Sequence, residues 1–77
     1  MSIQPDIQVD VTGETCPIPL VEMRKAVMKA SAGKIIEVIG THAASKKEIP
    51  MAVDSLGLTL MEVSDDTQGA WHVFIRK

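Results

Sequence analysis

The chain has 77 residues, 45% of them hydrophobic, and a formal net charge of −2. A chain this short buries only about 60% of the surface it exposes when unfolded, so it builds one modest core, with no room for a second domain or a deep substrate cavity. Ordinary apolar content and low charge exclude disorder as the main state, and no apolar run approaches a membrane span or a signal-peptide core; a soluble, intracellular protein is expected.

Ile7, Val9 and Val11 alternate with Gln8 and Asp10, the period of a strand with one buried face. Thr12 and Gly13 break that pattern. Beyond Cys16, Leu20, Met23, Val27 and Ala30 recur at three and four and form one stripe of a helix, with Glu22, Lys25 and Lys29 on its wet side. Ser31 and Gly33 stop it. Ile35, Ile36, Val38 and Ile39, interrupted only by Glu37, predict a central strand buried on both faces.

Residues 40–44 read as a loop. Ser45 and Glu48 have capping-box spacing and predict a second helix carrying Ile49, Ala52, Val53 and Leu56 and ending at Gly57. Pro50 conflicts with that start, so either the cap lies later or the first turn is distorted. Residues 58–63 and 70–75 read as two further strands joined by a turn over 65–69. The order gives an α/β two-layer sandwich: strand, helix, strand, helix, strand, strand, with a four-stranded mixed sheet and two helices on one face. If the first two strands are parallel, the loops that leave them are neighbours at one sheet edge, where open α/β folds place ligands.

Cys16 is the only cysteine, which excludes an internal disulfide and points to a reducing compartment. In Cys16-Pro17-Ile18-Pro19 the cysteine is expected at the helix cap and Pro17 at the first helical position. A sulfur there feels the positive end of the helix, a setting that lowers a thiol pKa. Pro17 and Pro19 have no N–H, which leaves the Ile18 amide as the donor among the first three. Gly13 shapes the loop before the thiol. The expectation is an exposed, moderately activated thiolate on Cys16, supported by Gly13, Pro17, Ile18 and Pro19.

Charge is uneven: −4 over residues 1–22, +5 over 23–47 and −3 over 48–77. An overall pI near 5.5 excludes binding by wholesale phosphate neutralisation, so direct nucleic acid binding is not expected. Arg24 lies about 12 Å up the helix from the cysteine, beyond the screening length at physiological salt, so the basic segment suits docking better than thiol tuning. Arg24, Lys25, Lys46 and Lys47 are the candidate docking residues, with His42 as a further candidate or as a hydrogen-bond partner of Cys16. His72 reads as structural, and Trp71 as packed in preference to an exposed stacking platform. Cys16, His42 and His72 lack metal-ligand spacing, so neither a metal nor another cofactor is expected.

At Asp10-x-x-Gly13-x-x-Cys16-Pro17-x-Pro19 the chain resembles the TusA/SirA/YedF-like family of small sulfur carriers. The resemblance extends through Arg24 and Lys25, Glu48-Ile49-Pro50, Leu56-Gly57 and Ile75-Arg76-Lys77. Thr41-His42-Ala43 stands where the family often has Thr-Asp-Pro, and Glu14 where leucine is common. The resemblance implies a fold like the C-terminal domain of a bacterial translation initiation factor. It also implies a cytoplasmic, monomeric carrier whose Cys16 takes sulfane sulfur as a persulfide from a cysteine desulfurase or rhodanese-like donor. An acceptor protein would then receive it, in tRNA thiolation, molybdenum-cofactor assembly, selenium metabolism or sulfur oxidation. Such a chain is more a covalent carrier than a stand-alone enzyme. Two other classes stay open: a thiol-based redox or regulatory adaptor, and an RNA-binding module.

Overall fold

The computed structural model describes residues 4–15 and 17–77. Six elements follow in the predicted order: β1 (Ile7–Val11), α1 (Ile18–Lys29), β2 (Ile35–Gly40), α2 (Ala43–Ser55), β3 (Thr59–Asp65) and β4 (Trp71–Arg76). The strands form one sheet in the order β1-β2-β4-β3. β1 runs parallel to β2, and β4 runs antiparallel to both β2 and β3. β1, β2 and β3 therefore share a direction. Two crossovers of the same hand, stepping the same way across the sheet, put both helices on one face.

Register decides which side chains meet those helices. Ile7, Val9 and Val11 lie beside Ile36, Val38 and Gly40, which lie beside Ile75, Val73 and Trp71. Paired residues share a face, so these rows point together. Met23, Ala26 and Val27 of α1 and Ile49 and Val53 of α2 close over them. Pro19 is fully buried in the same layer, so the second proline of Cys-Pro-x-Pro is a core residue as well as a helix-start residue.

The opposite face of β2 departs from the expectation of a strand buried on both sides by apolar layers. Ile35 and Ile39 are only half-buried there, with no helix over them. Glu37 is 6% exposed and is held by polar partners: Gln8 Nε2 donates to its Oε1 at 2.8 Å, and His72 Nδ1 lies 2.7 Å from its Oε2. A buried carboxylate is tolerated where such bonds replace water.

α2 also departs from the capping-box reading. It begins at Ala43 with His42 as cap, so Ser45 lies inside the helix and is buried. The side chains Ser45, Ile49 and Val53, spaced by four, form its inner spine. Pro50 sits within the helix, where its missing N–H removes the bond to the Lys46 carbonyl. The far end closes as expected at Gly57, which has φ +72. Leu58 N–H bonds Val53 O and Gly57 N–H bonds Asp54 O, the paired bonds of a Schellman turn.

Candidate functional site

The parallel pairing of β1 and β2 brings the loops after them to one end of the sheet. Asp10 Oδ1 accepts from Thr12 N–H at 3.0 Å and from Thr12 Oγ at 2.7 Å. Those bonds hold the Asp10 carboxyl below its ordinary pKa, the backbone bond contributing most. Glu14 N–H closes onto Val11 O, and Gly13 takes the positive φ of +81 that this turn needs at its third residue. Gly13 N–H then donates to Thr41 Oγ1 at 3.0 Å. The two loops are thus joined, as the parallel topology predicts.

Cys16, the centre of the sequence reading, lies outside the described residues. Its neighbours are placed. The helix starts one residue later than expected: Pro17 is the cap, with φ −98 and ψ 11, and Ile18 is the first helical residue. The Pro17 carbonyl already accepts the first helical bond, from Val21 N–H at 3.0 Å. Ile18 N–H, the amide expected to face the sulfur, donates to Thr15 O at 2.9 Å. Thr15, Pro17 and Ile18 are all exposed.

His42 is a structural junction. Its carbonyl accepts from Trp71 Nε1 at 2.9 Å and from Lys46 N–H at 3.3 Å, and its Nδ1 lies 2.9 Å from Ser45 Oγ. Trp71 is buried against the helix side of the sheet, which answers the packing alternative. Its ring lies over Gly40, where an added Cβ would stand 2.5 Å from Trp71 Cζ2.

The predicted docking cations do not form one patch. Arg24 lines a groove with Val27, Met28, Leu56, Leu58 and Lys77, whereas its neighbour Lys25 lines another with the β1 strand. Lys25 pairs with Glu22 at 3.3 Å. Lys46 pairs with Asp65 at 2.6 Å, and Lys47 is exposed at the start of α2. Adjacent helix positions differ by about 100° in direction, which is why a run of basic residues splits in this way. Among the described residues no group of three His, Cys, Asp or Glu is placed to hold a metal ion. No helix among them is long and apolar enough to cross a membrane.

Residues 7–77 match the family model described as Sulfurtransferase TusA. The chain belongs to the TusA family. A relative from Thermotoga maritima, described as a putative sulfur carrier protein, is 35% identical over 88% of this chain and 86% of its own length. The sulfur carrier protein TusA of Pseudomonas putida is 33% identical over 95% of this chain and 90% of its own. The crystal structure of a SirA-like protein from Desulfitobacterium hafniense superposes with a TM-score of 0.82 at 25% identity, covering 91% of this chain and 95% of that one.

Within this TusA-family fold, sequence reasoning missed two residues that brace the loops, Thr41 on Gly13 and Asp65 on Lys46, and read as a cap the Ser45 that bonds His42. Only Thr41 carried a signal, since it follows a parallel strand at the predicted loop edge.

Proposed function

We propose that this protein is a sulfur carrier that holds sulfane sulfur as a persulfide on Cys16 and relays it between larger proteins. The observation that carries this reading is that the only thiol of a TusA-family chain stands in Cys-Pro-x-Pro, between a helix start and a loop tied to its neighbour by Gly13 and Thr41. The relatives described as sulfur carrier proteins support the same role.

The chemistry is two exchanges. The Cys16 thiolate attacks the outer sulfur of a donor persulfide; a new S–S bond forms on Cys16, the donor S–S bond breaks, and its electron pair leaves with the donor thiolate. An acceptor thiolate then attacks the outer sulfur now on Cys16, and the Cys16 thiolate leaves. Neither exchange needs an outside oxidant, cofactor or enclosed pocket. A cysteine desulfurase or rhodanese-like protein is the donor class. Arg24, Lys25, Lys47 and the His42 loop offer docking contacts on the exposed surface of a cytoplasmic, single-domain carrier.

Intact-mass measurement after incubation with a cysteine desulfurase and cysteine tests this. The expected product gains one sulfur atom, returns to the starting mass on reduction, and is absent for Cys16→Ala. A disulfide-linked dimer alone, or no adduct, overturns the carrier reading in favour of a redox adaptor.

A further inference from the structure

β1 is an edge strand, and its outer side is open among the described residues. The backbone bonds show which groups it offers. Lys34 O accepts from Lys77 N–H, toward β4, whereas Ile35 N–H donates to Asp6 Oδ2, toward β1. Backbone groups alternate sides along a strand, so Ile35, Glu37 and Ile39 face β1: Ile35 O accepts from Asp6 N–H at 2.8 Å, and Glu37 and Ile39, whose register partners are Gln8 and Asp10, bond the residues on either side of those partners, Ile7, Val9 and Val11. The N–H and C=O groups of Gln8 and Asp10 therefore face outward.

Above this edge α1 overhangs a groove lined by Ile7, Gln8, Val9 and Asp10 on the strand and Glu22, Lys25, Ala26 and Lys29 on the helix. We propose that this groove docks an extended acidic segment of a partner protein, which adds to the sheet as a fifth strand beside β1. An added strand lies about 4.8 Å from β1 and sends alternate side chains toward the helix. There it meets Lys25, the small Ala26 and Lys29. Lys29 is exposed and has no charged partner among the described residues, and the Lys25–Glu22 pair is itself exposed and exchangeable. An acid, an aliphatic residue and an acid on one side of the segment complement those three positions.

Charge also selects against a second copy of this chain. Antiparallel self-pairing centred on Gln8 sets Asp6 opposite Asp10 and brings Lys25 and Lys29 of both copies together. The other sheet edge is less receptive, since β3 carries a register shift between Leu60 and Glu62 and acidic Glu62 and Asp65. Docking at β1 is independent of persulfide formation, so its failure leaves the sulfur-loading test unchanged.

The test is a titration of the isotope-labelled full chain with the capped peptide Thr-Glu-Thr-Val-Thr-Glu-Thr, followed by amide NMR. The expected result is that the Gln8 and Asp10 amides show the largest shift changes and slowed hydrogen exchange. The same peptide with Lys for Glu binds about fivefold more weakly, as expected for exposed charge pairs, and Lys29→Glu reverses that preference. A peptide N-methylated at alternate residues on its bonding side does not bind. No response of Gln8 and Asp10 at millimolar peptide, equal binding of the N-methylated peptide, or a response confined to β3 overturns the proposal.

Discussion

The Gly13 amide and the Thr41 hydroxyl meet at 3.0 Å, and this bond fastens the turn ahead of Cys-Pro-x-Pro to the approach of α2. Thr41→Val keeps the side-chain shape and removes the acceptor. Because the bond is exposed, global stability is expected to fall by about 1 kcal/mol or less. Hydrogen exchange at Gly13 rises while exchange at Ile36 and Val38 is unchanged, and Thr41→Ser restores the protection. Unchanged Gly13 exchange in Thr41→Val contradicts this role.

Gly40 exists for Trp71. A Cβ there falls 2.5 Å from the indole ring, whereas one at Gly57 meets open space. Gly40→Ala is expected to cost about 1–3 kcal/mol through overpacking and to shift the Trp71 emission to the red as the ring is displaced. Gly57→Ala loses roughly 1 kcal/mol through its left-handed backbone, with the emission unchanged. Denaturant unfolding followed by fluorescence distinguishes them.

His72 is clasped from both sides, its Nε2 lying 2.9 Å from Asp66 Oδ2 and its Nδ1 2.7 Å from Glu37 Oε2. The bond to Asp66, then the bond to Glu37, raises its pKa above 6.5, and burial opposes this only in part. A group raised on folding contributes stability below its unfolded value and loses it as pH rises through the folded value. Asp66 is lowered, by the His72 bond first and then by Ala70 and Gln68 N–H, so its contribution is lost as pH falls through its own folded value. The stability gap between wild type and His72→Gln is therefore expected to be widest in mildly acidic solution. It narrows as pH rises through the raised His72 value and again as pH falls through the lowered Asp66 value. Thermal unfolding across that range measures it; a gap that grows toward alkaline pH contradicts the assignment.

Much of the fold was legible because the apolar periods were clear. Alternation at Ile7, Val9 and Val11, the stripe of α1 and the β-branched run of β2 each name a buried face, and the order of elements then restricts the topology. The misplaced starts have specific causes. Ser45 and Glu48 have the spacing of a cap, yet Ser45 is drawn inward by its bond to His42, and Trp71 fixes the His42 carbonyl from the far strand. Propensity rules do not contain contacts made 29 residues away. Pro17 moves from the first helical position to the cap, where the next amide, Ile18 N–H, is bonded to Thr15 O ahead of the helix. For the candidate site, chemistry was legible in Cys-Pro-x-Pro, whereas the splitting of Arg24 and Lys25 into separate grooves depends on helix direction and packing.

The most direct test of the carrier role follows the sulfur itself. The protein is loaded from a cysteine desulfurase with radiolabelled cysteine sulfur, separated from the donor, and treated with cyanide, which removes only sulfane sulfur. The account predicts one labelled thiocyanate per chain, retained through the separation and abolished in Cys16→Ala. Label that stays with the donor, or that binds equally to Cys16→Ala, contradicts it.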